Sequence, residues 1–375
     1  MARLGDIVKI SSSSKQLDGD KFWLLNLDMV EQQTGAIVDY NYVSGKDLNG
    51  SIIQFDVDTV LYSKLRPNLN KVVLPCMDGF ATSEMLPLKP DISVICKEYL
   101  AAYLRSNSFV TWAVSKTSGA KMPRLGTKEL LDKDIPLPSL NEQHHIAAVL
   151  DKVSDQISLR KQQLAKLDEL VKSRFIELFG DVANSPKYSG VPLGTICSTL
   201  SGGTPTTKVP EYYQGDIPWI STPYLGNNHI NGSSAKAYIT EDAIKNSATH
   251  LIPANTIMFG IRVGVGKSSI IDEPMCANQD IVALMGIETN KYNLLFVKHT
   301  LDSYQSHFDS IKKGATILGI TTDDLKKVLI PNVDIGLQNQ FATFVEQTDK
   351  SKLTIQRSLD KLETLKKALM QEYFG

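Results

Sequence analysis

The chain carries nearly the same segment twice, 195 residues apart. Residues 119–180 align with 314–375 over 62 positions without a gap, and 16 of those positions are identical. Gly119-Ala120 matches Gly314-Ala315, Ile135-Pro136 matches Ile330-Pro331, Gln143 matches Gln338, and Phe179-Gly180 matches Phe374-Gly375. Repeat periods of about 20–50 residues build solenoids. This period is far longer and has only two copies, so each copy is expected to be a whole domain followed by a long helix. The expected fold is a two-domain α/β (α+β) protein with approximate two-fold symmetry.

The helical part of each copy is the clearest. Ile146, Leu150, Val153, Ile157, Leu164, Leu167, Val171 and Leu178 recur at spacings of three and four, with Arg160 and Arg174 filling two seam positions. No Gly or Pro interrupts residues 141–179, and these 39 residues would form a helix roughly 58 Å long. The second copy, from about Gly336 to Phe374, places Phe341, Val345, Thr348, Ile355, Leu359, Leu362, Leu369 and Tyr373 on its seam. Lys352 and Lys366 interrupt that seam where the first helix has Ile157 and Val171. A narrow stripe held over about five heptads is coiled-coil geometry. Neither helix can leave such a stripe exposed, so intramolecular antiparallel pairing is expected. The competing arrangement packs each helix on its own domain, which is too small to cover the stripe.

This divides the chain into a first domain (1–140), a helix with a linker (141–182), a second domain (183–335) and a second helix (336–375). In the first domain, short apolar runs at 51–55, 59–65, 71–74 and 85–88 are separated by Gly, Pro, Asn and Asp, as strands are. Residues 99–105 and 109–114 have helical character. Strand-like runs return at 217–220, 256–261 and 281–285. Residues 180–189 (GDVANSPKYS) read as a linker.

Composition narrows the functional classes. A net charge of −1 gives no global sign of nucleic-acid binding, so any basic surface must be local. Cys76, Cys96, Cys197 and Cys276 are scattered without a CxxC pair, which suits reduced, packed thiols in a cytoplasmic protein. No run reaches about 18 apolar residues, so no membrane span is expected, and MARLGDIVKI lacks the apolar stretch of a secretion signal.

The sharpest enzyme-like signal is Gly260-Ile-Arg-Val-Gly264-Val-Gly266-Lys267-Ser268. A phosphate-binding loop needs glycine at residue 261, which is Ile261 here. Asp272 also follows too closely for a helix to intervene. A nucleotide hydrolase using Lys267 and Asp272 is therefore the rival reading, and a turn between strands the preferred one. That turn carries a cation pair, Arg262/Lys267, with a counterpart in Arg66/Lys71. No GxGxxG after a strand, GxSxG or HExxH is present, nor any Pro-Pro dipeptide such as amino-methyltransferases use. His144-His145 match Asn339-Gln340 and read as polar helix-start residues rather than metal ligands. No catalytic or metal site is expected.

Binding chemistry remains. Lys121 and Arg124 follow Ser118-Gly119-Ala120, and Lys312-Lys313 precede Gly314-Ala315-Thr316, at matching places near each domain's end. Small residues allow close backbone approach, and the cations suit phosphates or guanine edges. The second domain adds the hydroxyl-rich loop Ser201-Gly-Gly-Thr204-Pro-Thr206-Thr-Lys208 and the aromatics Tyr212, Tyr213 and Trp219. The candidate DNA-binding residues are Lys64, Arg66, Lys71, Lys121 and Arg124 in the first domain. In the second they are Thr204, Thr206, Lys208, Arg262, Lys267, Lys312 and Lys313.

Across essentially its whole length the chain resembles the specificity subunits of type I restriction–modification systems. The resemblance is carried by Ser201-Gly202-Gly203-Thr204-Pro205 leading to Ile217-Pro218-Trp219-Ile220, and by Ala277-Asn278-Gln279-Asp280-Ile281. It is also carried by Ile135-Pro136-Leu137-Pro138 running through Asn141-Glu142-Gln143 into the long helix, echoed by Ile330-Pro331 and Gln338. The first domain departs from the pattern, with Ser11–Ser14 near the place of the Gly-Gly-Thr-Pro loop. The resemblance implies two target-recognition domains separated by two paired helices, and a non-catalytic subunit that reads a bipartite, gapped DNA target. Its implied partners are duplex DNA, two methyltransferase (modification) subunits and restriction/translocase subunits. S-adenosylmethionine would sit on the methyltransferases, ATP and Mg on the restriction subunits, and no cofactor on this chain. The second rival is a coiled-coil scaffold with no role in DNA recognition.

Overall fold

The structure, a computed structural model, describes residues 1–14, 17, 19–48, 50–119, 121–235, 237–314 and 317–375. It divides into two units, one of residues 1–162 with 356–375 and the other of 163–355. The division falls inside both long helices, so each unit holds a segment of each.

In the first unit an antiparallel sheet runs in the order Val8–Ile10, Met85–Pro90, Val60–Ser63, Val72–Val73. All four residues of Val60–Ser63 are buried, so that strand reads as an apolar run rather than an alternation. Helices Lys97–Leu104 and Asn107–Ser115 pack on this sheet through Tyr99, Leu100, Leu104 and Phe109. The Ser106 hydroxyl caps the second by accepting from Phe109 N–H at 3.2 Å. A second sheet, Tyr42–Ser44, Lys21–Leu25, Gly79–Thr82, Ile52–Phe55, closes over Trp23, Leu25, Phe55 and Met85.

The second unit repeats this plan. Its main sheet runs Ser198–Ser201, Ile281–Met285, Thr256–Gly260, Ser268–Ile271, with His229–Ile230 added in parallel at the edge. A smaller sheet joins Ala237–Ile239, Ile217–Ile220 and Cys276–Ala277. Helices Leu294–Ser303 and Gln305–Ile311 supply Phe296, Leu301 and Phe308 to the core.

The long helices are Leu140–Phe179 and Ile335–Phe374, 40 residues each. Within each unit the beginning of one meets the end of the other, so the segments run antiparallel. In the first unit Ile146 and Leu150 share a core with Leu369 and Phe374. Phe374 packs on Tyr99 and Tyr103 at 5.4 and 5.8 Å, and its carbonyl accepts from the Ser108 hydroxyl at 2.6 Å. In the second unit Phe175 and Phe179 pack on Phe341 at 5.3 and 5.7 Å, with Phe179 against Phe296 at 4.7 Å. Every apolar seam residue named above is buried or half-buried. Of the polar seam groups, Lys352 pairs with Asp168 at 2.5 Å; outside the seam, exposed Lys161 pairs with Glu363 at 3.5 Å. Lys366 is half-buried, and desolvation pulls its ammonium below the usual lysine range.

One device fixes the root of each helix. Gln143 is fully buried; its carbonyl accepts from Cys96 N–H at 3.0 Å and its amide donates to the carbonyls of Val94 and Pro138 at 3.0 Å. Gln338, also fully buried, accepts from Asn293 N–H at 2.9 Å and donates to Lys291 and Val333 carbonyls at 3.1 and 3.0 Å. Each glutamine satisfies one donor and two acceptors that burial would otherwise strand.

Residues 180–189 are more ordered than a linker. Gly180–Asp181 and Ser185–Pro186 form a hairpin, Val182 is buried, and its carbonyl accepts from the Tyr304 hydroxyl at 3.0 Å. Cys96, Cys197 and Cys276 are buried thiols and Cys76 is exposed. Among the described residues no helix is long and apolar enough to cross a membrane.

Two predictions follow from this packing. Gln143→Ala or Gln338→Ala leaves three backbone groups without their side-chain partner and is expected to cost about 2–4 kcal/mol in urea unfolding. His299 lies in the second unit's core against Phe341, with its Nδ1 3.5 Å from Asp302 and with Lys298 and Lys352 nearby; burial pushes its pKa down to about 4. The unfolded chain then takes up a proton that the folded chain refuses. Stability is full above about pH 6.5 and falls by up to about 3 kcal/mol as pH drops towards 4. His299→Leu is expected to flatten that part of the stability–pH curve.

Candidate nucleic-acid interface

In the first domain three segments distant in sequence meet at one edge. The Leu125 N–H donates to the Lys64 carbonyl at 3.0 Å, Arg66 N–H to Pro123 at 2.8 Å, and Lys64 N–H to Glu84 at 3.0 Å. The hairpin Thr117–Ser118 with Arg124–Leu125 thereby sets Arg124 opposite Leu65, between Lys64 and Arg66 in sequence, with Lys121 in the hairpin's turn. Lys121, Arg124 and Arg66 are exposed and Lys64 is half-buried. Arg124 grips Glu84 with its Nε, 3.1 Å from both carboxylate oxygens, and its Nη2 at 2.9 Å. The guanidinium holds the Glu84 carboxyl below the usual carboxylate range.

Lys71 departs from the sequence reading. Its ammonium donates to the Leu27 carbonyl at 2.5 Å, and partial burial lowers its pKa. It ties two parts of the first domain together, so its group is occupied inside the fold. Ala120, Ala315 and Thr316, which figured in the repeated motif, lie outside the described residues.

The second domain builds the same junction from different residues. Ile261 N–H donates to the Asp280 carbonyl, and Ile320 N–H to the Ile261 carbonyl, both at 2.8 Å. Lys313 and Gly319 pair at the base of a loop whose Ile317 and Leu318 are exposed. Arg262 Nη1 lies 3.7 Å from Asp280, and Lys312 pairs with Asp309 at 2.5 Å. Lys267 and Lys313 are exposed. By these hydrogen bonds Lys64 corresponds to Ile261, so Leu65 corresponds to Arg262. The cation pair Arg66/Lys71 is therefore one residue out of step with Arg262/Lys267, and the two pairs are not spatial equivalents.

Residues 260–268 form the turn of an antiparallel hairpin between Thr256–Gly260 and Ser268–Ile271, with no helix following. Gly266 N–H donates back to Gly260 and Lys267 N–H to Gly264, both at 3.1 Å. These N–H groups are spent inside the turn, where a phosphate loop would aim them outward. Among the described residues no group of three or more His, Cys, Asp or Glu could hold a metal.

The Gly-Gly-Thr-Pro loop is pinned from several sides. Gly203 N–H donates to Ala277 at 2.8 Å, and its carbonyl accepts from Trp219 Nε1 at 3.0 Å and from the Thr249 hydroxyl. Tyr213 donates to the Pro205 carbonyl at 2.7 Å. A Cβ on Gly203 would stand 2.3 Å from the Ala248 backbone, which requires glycine there. Trp219 and Tyr213 thus hold the loop, while Thr204, Thr206 and Lys208 are exposed on it. Thr204 donates to the side chain of Gln279, and the Thr206 hydroxyl accepts from Lys208 N–H at 3.3 Å.

Glu84 and Asp280 were absent from the sequence-based set. A signal existed: in the pairing of 65–88 with 261–284 they fall opposite each other, but an identity count scores Glu against Asp as a mismatch.

The paired domains and long helices define a class, and comparison places the chain within it. The type I restriction modification DNA specificity domain matches residues 2–169 and 187–366, and the chain belongs to that family. It is 29% identical over 199 residues to the type I restriction enzyme MjaIX specificity subunit of Methanocaldococcus jannaschii, covering 52% of this chain and 45% of that protein. It is 30% identical over 236 residues to the EcoR124I/EcoR124II specificity subunit of Escherichia coli, covering 58% and 56%. These matches span about half the length of those relatives. A crystal structure of a type I restriction–modification S subunit from M. genitalium shares the fold, with a TM-score of 0.63 at 14% identity over 100% of this chain and 95% of that one.

Proposed function

We propose that this chain selects the DNA sequence on which a type I restriction–modification complex acts. The observation that carries the reading is the junction built twice. In each domain the end of a sheet strand, an acidic turn and a late loop converge, and exposed cations gather there on sequences that otherwise diverge. Each junction takes one half of a bipartite, gapped target in the major groove. Most of the exposed cations, Lys121 and Lys267 among them, meet phosphates and set register, whereas specificity comes from fewer contacts to base edges.

The long helices and adjoining surfaces hold two modification subunits, and restriction subunits join them. Catalysis belongs to those partners: adenine methylation with S-adenosylmethionine after base extrusion, and cleavage with ATP and Mg. This chain contributes no catalytic group, and it works in the cytoplasm, where the DNA lies.

The test is salt-dependent binding of the assembled complex to its cognate duplex. Lys121→Ala and Lys267→Ala are each expected to weaken binding across sequences alike and to lower the salt slope by about one. Lys71→Met is expected to reduce thermal stability and leave the slope in place. Unchanged affinity and slope in both alanine variants would remove these loops from the interface.

A further inference from the structure

The two junctions share a feature that their sequences hide. Glu84 and Asp280 each directly precede a central sheet strand, Met85–Pro90 or Ile281–Met285, and each accepts through its carbonyl from the same neighbouring segment, Lys64 or Ile261. Each carboxylate faces one arginine, but the arginines come from opposite sides. In the first domain it is Arg124, on the late hairpin, while the facing position holds Leu65. In the second it is Arg262, at the place of Leu65, while the place of Arg124 holds Gly319.

Gly319 makes that exchange possible. A Cβ there would stand 2.7 Å from the Ile261 carbonyl oxygen and 3.1 Å from Arg262 Cγ. The Arg262 side chain therefore lies where a side chain at 319 would begin, and one slot holds one guanidinium in each domain.

We propose that this slot is a guanine reader in each domain: Arg124, positioned by Glu84, and Arg262, positioned by Asp280, each donate to a guanine in one half of the target. The inference rests on the DNA-recognition reading above and names the residues that carry its specificity. Two arguments favour a base over a phosphate. A carboxylate beside a guanidinium offsets part of its net attraction for a phosphate and leaves its directed donors in place. Glu84 engages Nε and Nη2 of Arg124, and Nη1 lies 3.5 Å from the Met122 carbonyl, which leaves one hydrogen each on Nη1 and Nη2 as an edge that fits O6 and N7 of guanine. Exposure agrees: the arginine side chains are 44% and 52% exposed, and their acidic partners only 24% and 14%. Glu84 braces Arg124 by hydrogen bonds from the less exposed side, and Asp280, 3.7 Å from Arg262 Nη1, holds its arginine by charge. Holding the fork in place also reduces the rotamer freedom lost on binding.

Glu84 and Asp280 are positioning residues under this assignment, and a selection experiment separates that role from simple structural pairing. The full-length chain, assembled with its partners, selects from duplexes with randomised bases, and the salt slope is measured on the selected sequence. Arg124→Lys and Glu84→Gln are expected to lose preference at one guanine of one half-site by roughly 10- to 100-fold. Arg262→Lys and Asp280→Asn should do the same in the other half-site only. The lysine variants should keep the original slope, and the untouched half-site, still selected, reports that the variant is folded. Arginine variants that select the original sequence overturn the proposal, whether the slope drops by about one, as for a phosphate contact, or stays, as for a purely structural pair. An unaltered chain that selects no sequence overturns the DNA-recognition reading together with this one.

Discussion

Everything in this protein depends on how a 40-residue helix with an apolar stripe finds cover at both ends. A stripe of that length cannot remain in water, and a small domain cannot bury all of it. The solution is repeated in each unit. The root of one helix and the tip of the other enter a single core, with Gln143 or Gln338 fixing the root and Phe374 or Phe179 plugging the tip. Aromatic tips bury much area in little length, which suits a helix end that must be held at a defined depth. The glutamines add direction, because their three hydrogen bonds admit one orientation of the helix root.

Once the helix ends are fixed, each domain is free to vary elsewhere. The strand orders of the main sheets correspond, and so do the hydrogen bonds of the junction, although 65–88 and 261–284 share only 4 identities in 24 positions. What persists there is backbone geometry and the acid at 84 and 280. What changes is which segment supplies the arginine, and glycine at 319 makes room for the change. A recognition surface can diverge in this way without disturbing the core beneath it, since loop side chains carry little packing energy.

Much of the architecture was legible in the chain. The heptad spacing located both helices to within a residue at each end, because a 3.5-residue period over 39 positions has few other physical meanings. Ile217–Ile220 and Ile281–Met285 were recognisable because buried strands are apolar and bounded by turn residues. Phe175, Phe179 and Phe374 were not on the inferred seam: near their tips the helices leave each other's surface for a domain core, and the period no longer reports what is buried. The segment 180–189 looked like a linker from its Gly, Asn, Ser and Pro, and it proved to be a packed hairpin because Val182 and Tyr304 anchor it.

By itself, the sequence determined the duplication, the long helices and the family, since each is written in local spacing or extended similarity. Tertiary structure alone decided what each charged side chain does. Lys71 and Lys267 look alike in sequence, yet Lys71 is taken up by the Leu27 carbonyl, 44 residues away, and Lys267 stands exposed on a turn. Arg124 meets Glu84 across 40 residues, and Arg262 meets Asp280, in the turn before the strand Ile281–Met285. The directed hydrogen bonds of a charged group reach only about 3 Å. Its role is therefore set by the neighbours that folding brings, and sequence separation carries no record of them.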